Sequence, residues 1–361
     1  MWDLSNRQIV FLIFGAVVGY GVLDLPKVMA EKAGTGGWFS LIITTIIAMI
    51  VVSINIKLAF LHNNKILPQY DEFLIGKFLG KTINLIYMIY FLLVPSLIVR
   101  ATSQVIEKNI LLRTPIWFLC LAFLATAYYA LIRGGRGIVS ICQTYGIIVI
   151  VSIIVLHVLI LTQGKSYNVM PIFNVKELGR YLKAGLSFQV PFLGVEIFLF
   201  IPLNKEKNKE LTKKAIQMLG FIGLMYILIV ESSISVMSEN DIVQYNDAVI
   251  ATIRRIEIQR LEFFRRLDGL FIILWILSIF CTIFVYMYGL NLFTVKFFKA
   301  KNSNFTALII IGISFIITQL PVTFEQVTVS IKYIGFLGIL CSMIIPTILL
   351  IITKVKNNEK V

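Results

Sequence analysis

Three kinds of group in this chain can bind a small solute without covalent chemistry. The first is backbone released from helical hydrogen bonding. Gly19-Tyr20-Gly21 and, far along the chain, Pro191 with Leu193 and Gly194 interrupt runs that are otherwise apolar. Glycine lets the main chain leave helical dihedrals and lets a solute approach it, while Pro191 removes a backbone donor. Free N–H groups at a half-helix N-terminus hold a carboxylate, and freed carbonyls at the opposite half-helix end hold an ammonium or another cation. The second kind is hydroxyl. Tyr87, Tyr90 and Val94 share one helical face leading to Pro95, and Ser278, Thr282 and Tyr286 share another at spacings of four. The third is Glu196, just past Gly194, a carboxylate deep in an apolar run and therefore a functional candidate by default.

Each group also has a plainer use. Hydroxyl stripes join neighbouring helices in membranes, and Tyr20 either closes one side of a site, donates its hydroxyl, or simply packs. Glu196 can pair with a ligand ammonium, take up a proton, or anchor the unwound strand through hydrogen bonds. The residues alone leave these roles open.

Such groups need a frame that tolerates unpaired backbone, and composition says what the frame is. With 58% hydrophobic residues, 14% charged residues and a mean hydropathy of +0.89, the 361-residue chain holds more apolar surface than a soluble core can hide. An all-α polytopic membrane protein is predicted. Apolar runs long enough to span a hydrocarbon core of about 30 Å recur at 7–29, 36–61, 82–107, 115–132, 138–163, 181–203, 215–238, 267–295, 303–324 and 332–353. The predicted transmembrane helices 1 and 6 carry the two breaks near their middles. In a bilayer those breaks persist only where protein, water or ligand satisfies the freed groups. Dividing the ten spans into five and five gives halves 7–163 and 181–353. Because five is odd the repeats are inverted, and the breaks meet near the midplane. The chain 1–361 reads as one integral membrane domain, and the broken first span argues against a cleaved signal peptide.

Cations set the orientation. With both termini in the cytoplasm, the inner face collects 18 of the 33 Lys and Arg residues, as the positive-inside rule favours. The net charge of +14 is thus topology and lipid contact, and nucleic acid is excluded as a partner. Three further acids, Asp24, Glu231 and Asp268, stand near predicted span ends and are read as reaching water or an outer vestibule. The outer segment 239–266 alternates Val249, Ile253, Ile256, Phe263 and Phe264 with Arg254, Arg255, Glu257, Arg260, Glu262, Arg265 and Arg266, which predicts an amphipathic helix on the surface. The inner stretch from Pro68 to Gly80 is read as a short interfacial helix, and Arg133-Gly134-Gly135-Arg136 as a tight turn.

The run Gly15-Ala16-Val17-Val18-Gly19-Tyr20-Gly21, followed by Leu25-Pro26, Ala30, Ala33-Gly34 and Gly37-Trp38, resembles the start of the spore germination receptor B-subunit family. Leu67-Pro68-Gln69-Tyr70, Leu74 to Gly80, and Pro191-Phe192-Leu193-Gly194-Val195-Glu196 extend the resemblance over the chain. The first motif alone would also suit amino acid permeases of the wider APC superfamily. The resemblance implies a LeuT-like fold in a subunit of a nutrient germinant receptor. Its partners would be an A and a C subunit, in the inner membrane of a spore.

No catalytic constellation is visible, so an enzyme is not expected. His62 and His157 are far apart, and Cys120, Cys142, Cys281 and Cys341 lack metal or redox spacing. No cofactor or metal is expected. A pocket walled by Gly19, Tyr20, Gly21, Tyr90, Val94, Leu193, Gly194, Thr282 and Tyr286, with Glu196 beside it, suits a small ligand with an uncharged side chain, such as an aliphatic amino acid. The alternative to a receptor subunit is a proton- or sodium-coupled amino acid transporter built on the same pocket.

Overall fold

A computed structural model of the protein describes residues 4–187, 190–256 and 267–358. All regular structure among them is helical: α1 Asn6–Val17, α2 Leu25–Ala33, α3 Gly37–Leu61, α4 Asp71–Ile75, α5 Lys77–Asn109, α6 Ile116–Arg133, α7 Gly135–Thr162, α8 Leu178–Ser187, α9 Leu211–Met237, α10 Glu239–Ile242, α11 Ala248–Arg254, α12 Leu267–Phe297, α13 Ser303–Gln319, α14 Phe324–Ile339 and α15 Ile345–Asn358. Seven stretches are long and apolar enough to cross a membrane. Three expected spans remain: the broken first, the broken sixth and the shorter α13. This agrees with a multi-pass membrane protein of ten spans.

The first span is α1, a break over residues 18–24, then α2. Its start is fixed by a capping box, in which Ser5 and Gln8 bond each other's backbone N–H. Pro26 lies in the first turn of α2, where its missing N–H costs nothing. The sixth span has α8 as its first half, but its second half is only a 3₁₀ turn, Val195–Leu199. The tenth span starts earlier than predicted and runs from α14 into α15 through a π-helical stretch, Leu340–Ile344. Nothing in its composition announces that irregularity.

Around the breaks, α1 packs on α7, α9 and α12, α5 on α12, and α3 on α9. Small residues allow the closest of these approaches. A Cβ at Gly223 of α9 would lie 2.3 Å from Thr45 Oγ1 of α3, and one at Gly15 of α1 would lie 2.9 Å from Cys281 Cβ of α12, as expected where packing rather than water exclusion joins helices. All four cysteines are free and buried.

Two surface expectations change. The segment after α9 is not one amphipathic surface helix. It begins as the short helices α10 and α11, and Ala248 to Ile253 are buried, with the Val249 N–H donating to the Leu23 carbonyl at 3.3 Å. Apolar residues from both faces of α11 are covered because α2, α9 and α12 surround it. Glu257, Arg260, Glu262, Phe263, Phe264, Arg265 and Arg266 lie outside the described residues. The inner stretch is a 3₁₀ turn, Leu67–Gln69, then α4, while Gly80 already belongs to α5.

Candidate functional site

The two breaks face each other and enclose a cavity of about 130 Å³. The end of α1 supplies Ala16 and Val17, the first break Gly19, Tyr20, Gly21 and Asp24, and the second break Val190, Pro191 and Leu193. From α5 come Tyr90, Val94, Leu97 and Ile98, and from α12 come Thr282 and Tyr286. Eight of the ten residues singled out from sequence therefore meet on one cavity. Gly194 and Glu196 do not line it.

Their place behind the wall has a geometric cause. Gly194 has φ +122°, and a Cβ there would lie 2.8 Å from the Ala16 carbonyl carbon, so the second break packs tightly against the end of α1 at this glycine. Glu196 is fully buried and turns back on the same turn. Its Oε2 accepts the Gly194 N–H at 2.8 Å, and its Oε1 accepts the hydroxyls of Tyr90 and Tyr286, each at 2.7 Å. Of the three roles open to Glu196, this geometry is that of an anchor. A carboxylate with three donors holds the break and orients two wall residues.

Other polar side chains stitch the freed backbone. Thr282 Oγ1 donates to the Gly15 carbonyl at 2.8 Å and would stand 2.5 Å from a Cβ on Gly19. Trp275 Nε1 donates to the Gly19 carbonyl at 3.4 Å. Tyr226 reaches both breaks, with its hydroxyl 3.2 Å from the Val17 carbonyl and 3.1 Å from that of Pro191. Tyr87 faces away and donates to the Cys341 carbonyl at 2.5 Å, beside the π-helical stretch. Ser278 does not line the cavity; it bonds the Trp275 carbonyl at 2.7 Å.

The acids near the span ends divide. Asp268 pairs with Arg254 at 2.9 Å. Glu231 is half-buried, and its Oε1 is enclosed without a hydrogen-bond partner among the described residues. Asp24 lines the cavity itself rather than a separate vestibule. His157, whose span is otherwise apolar, is buried and bonds Ser232 at 2.7 Å. The sequence reading missed one whole wall: Ile331, Ile334 and Gly335 of α14 close the cavity. These are ordinary apolar residues of a membrane helix and carry no signal of their position. Among the described residues, no group of three or more His, Cys, Asp or Glu residues could hold a metal ion.

The family and the fold around this cavity are shared with known proteins. Residues 3–327 match the family model described as spore germination protein. The chain belongs to the spore germination protein family. Among curated relatives, spore germination protein A2 of Bacillus subtilis (strain 168) is 26% identical over 98% of this chain and 96% of its own length. Among solved structures, MhsT in complex with L-phenylalanine superposes with a TM-score of 0.69 at 14% identity, covering 98% of each chain. A Na⁺-coupled sialic acid symporter in a substrate-bound, outward-open state gives 0.62 at 10% identity, over 94% of this chain and 78% of its own. At such identities the structures speak to the fold alone, and that fold is the LeuT-like one with helices 1 and 6 broken.

Proposed function

We propose that this member of the spore germination protein family is the ligand-binding integral membrane subunit of a nutrient germinant receptor. It senses a small molecule such as an aliphatic amino acid. The cavity between the two breaks carries this reading. It is mostly apolar and built from the groups that can hold a zwitterion: freed backbone, hydroxyls and one carboxylate. In this reading Gly19, Tyr20, Gly21, Tyr90, Val94, Leu193, Thr282 and Tyr286 contact the ligand. Gly194 and Glu196 set the shape of the wall. The halves 7–163 and 181–353 act as inverted repeats of one domain, both termini face the cytoplasm, and A and C subunits in the spore inner membrane receive the signal. Occupancy shifts the protein between two arrangements only to the extent that the ligand binds one better than the other.

A coupled transporter is the second reading, favoured by a fold shared with a Na⁺-coupled symporter. One experiment separates the two: binding and uptake of labelled amino acids by the purified chain in proteoliposomes, with Val94→Phe to fill the cavity. Saturable binding without gradient-driven uptake, lost in Val94→Phe, is the receptor result. Concentrative uptake lost in the same variant would make the protein a permease.

A further inference from the structure

The cavity has a charge that its shape does not explain. Among its nineteen lining residues Asp24 is the only ionisable group other than tyrosine, and there is no Lys, Arg or His. Asp24 precedes α2 but does not cap it: no side-chain capping bond forms. No other side chain among the described residues donates a hydrogen bond or forms an ion pair with it. The nearest cation in sequence, Lys27, is close enough to attract it but makes its direct contacts elsewhere. Its Nζ lies 2.6 Å from Asn246 Oδ1 and 3.9 Å from Glu31 Oε1. Glu196, by contrast, has all its donors and stands behind the wall.

A carboxylate at the edge of an apolar, membrane-buried cavity is expensive without a partner. Here the protein offers its own backbone N–H and the nearby charge of Lys27, but among the described residues no side-chain hydrogen bond and no ion pair. The rest of the lining is hydrocarbon, backbone and hydroxyl, so a positive charge on the occupant would find its strongest attraction at one end of the cavity.

We propose that Asp24 is the specificity-determining counter-ion for the ligand's ammonium group, so that the cavity takes compact apolar primary amines, with the ligand's carboxylate secondary. This rests on the cavity being the ligand site. The amine lies at the α2 end, against Asp24, and the apolar body extends toward Val94, Leu193 and Ile334. The freed backbone near Gly19 and Gly21 is then left for a carboxylate, where the ligand has one.

The test uses the full chain in lipid nanodiscs and three probes of one carbon skeleton: L-valine, isobutylamine, which keeps the amine, and isovalerate, which keeps the carboxylate. Binding is measured by calorimetry in sodium and in potassium buffers. The wild type is expected to bind L-valine and isobutylamine, and isovalerate at least tenfold more weakly. Asp24→Asn is expected to lose tenfold or more for both amines while isovalerate binding is not weakened, since a repelling charge is removed, and Asp24→Glu to recover part of the loss. Three results overturn the proposal. In the first, Asp24→Asn binds the amines as the wild type does. In the second, isovalerate is preferred or none of the probes binds. In the third, Asp24→Asn abolishes a sodium dependence shared equally by amine and acid, which would make Asp24 an ion ligand. Val94→Phe distinguishes the failures. If it abolishes binding that Asp24→Asn leaves intact, the cavity stands and the role of Asp24 falls. If neither variant changes binding, the site lies elsewhere.

Discussion

Gly194→Ala and Gly21→Ala are expected to fail in opposite ways, although the sequence presents the two glycines alike. At Gly194 the backbone sits at φ +122° and the new methyl would lie 2.8–3.0 Å from the carbonyl carbon, oxygen and Cβ of Ala16. A residue with a side chain in such a conformation costs about 1–3 kcal/mol, and forcing a methyl against backbone adds about 1–3 kcal/mol. The carbonyl of Ala16 cannot retreat freely, because α1 is wedged among α7, α9 and α12. A loss of roughly 2–6 kcal/mol follows, which for a chain of this size lowers the unfolding midpoint by several degrees. At Gly21 the added Cβ meets only Pro191 Cα, at 3.9 Å. Stability there should change by less than about 1 kcal/mol, but Gly21 lines the cavity and the methyl takes ligand space, so affinity should fall about tenfold, equivalent to about 1.4 kcal/mol. The assays are thermal unfolding of the purified, ligand-free protein in detergent and equilibrium binding at a temperature where every variant is folded. A Gly194→Ala variant melting with the wild type while Gly21→Ala melts well below it would refute the claim that the second break is held by its close approach to α1 at Gly194.

Glu196→Gln keeps a carbonyl oxygen for the two tyrosine hydroxyls but turns an amide NH₂ toward the Gly194 N–H, donor against donor. It should cost about 1–3 kcal/mol, seen as a lower melting midpoint and not recovered by changes of ionic strength. Tyr90→Phe and Tyr286→Phe each remove one donor to the same oxygen, and their effects should be non-additive by more than about 0.5 kcal/mol in a double-mutant cycle. Asp71, between α3 and α5, is fully buried with Oδ1 on the Glu72 N–H and Oδ2 without a hydrogen-bond partner among the described residues, and burial pushes its carboxyl up from 3.8 to about 7. A raised carboxyl favours the folded state while protonated, so this contribution is present at low pH and lost as pH rises through about 7. Melting scans from pH 5.5 to 8.5 should show a decline that Asp71→Asn removes, and an identical decline in both proteins would sink the assignment.

The sequence made the architecture legible because the membrane enforces a length rule and punishes every unpaired backbone group. Breakers in two apolar spans could therefore be read as a site before any contact was known, and the periodic faces of α5 and α12 pointed to Tyr90, Val94, Thr282 and Tyr286. Depth in the wall was not legible. Gly194 and Glu196 carry the same sequence signal as Gly19 and Tyr20, yet one pair holds the wall from behind and the other lines it. The difference lies in which way a three-residue turn folds back, and that is decided by contacts with Ala16, Tyr90 and Tyr286 from three other elements. The α14 wall was invisible for a related reason, since Ile331 and Ile334 look like any lipid-facing isoleucines until α5 and the second break are placed against them. Asp24 marks the opposite case. Its charge is plain in the sequence, but its meaning depends on absences around it: no cap, no ion pair among the described residues, and Lys27 committed to Asn246. A binding site of this kind is thus announced by residues that break helices and completed by residues that break nothing. Its choice among apolar side chains should follow the second group, so that exchanging Ile334 or Val94 for other apolar residues retunes which side chain fits.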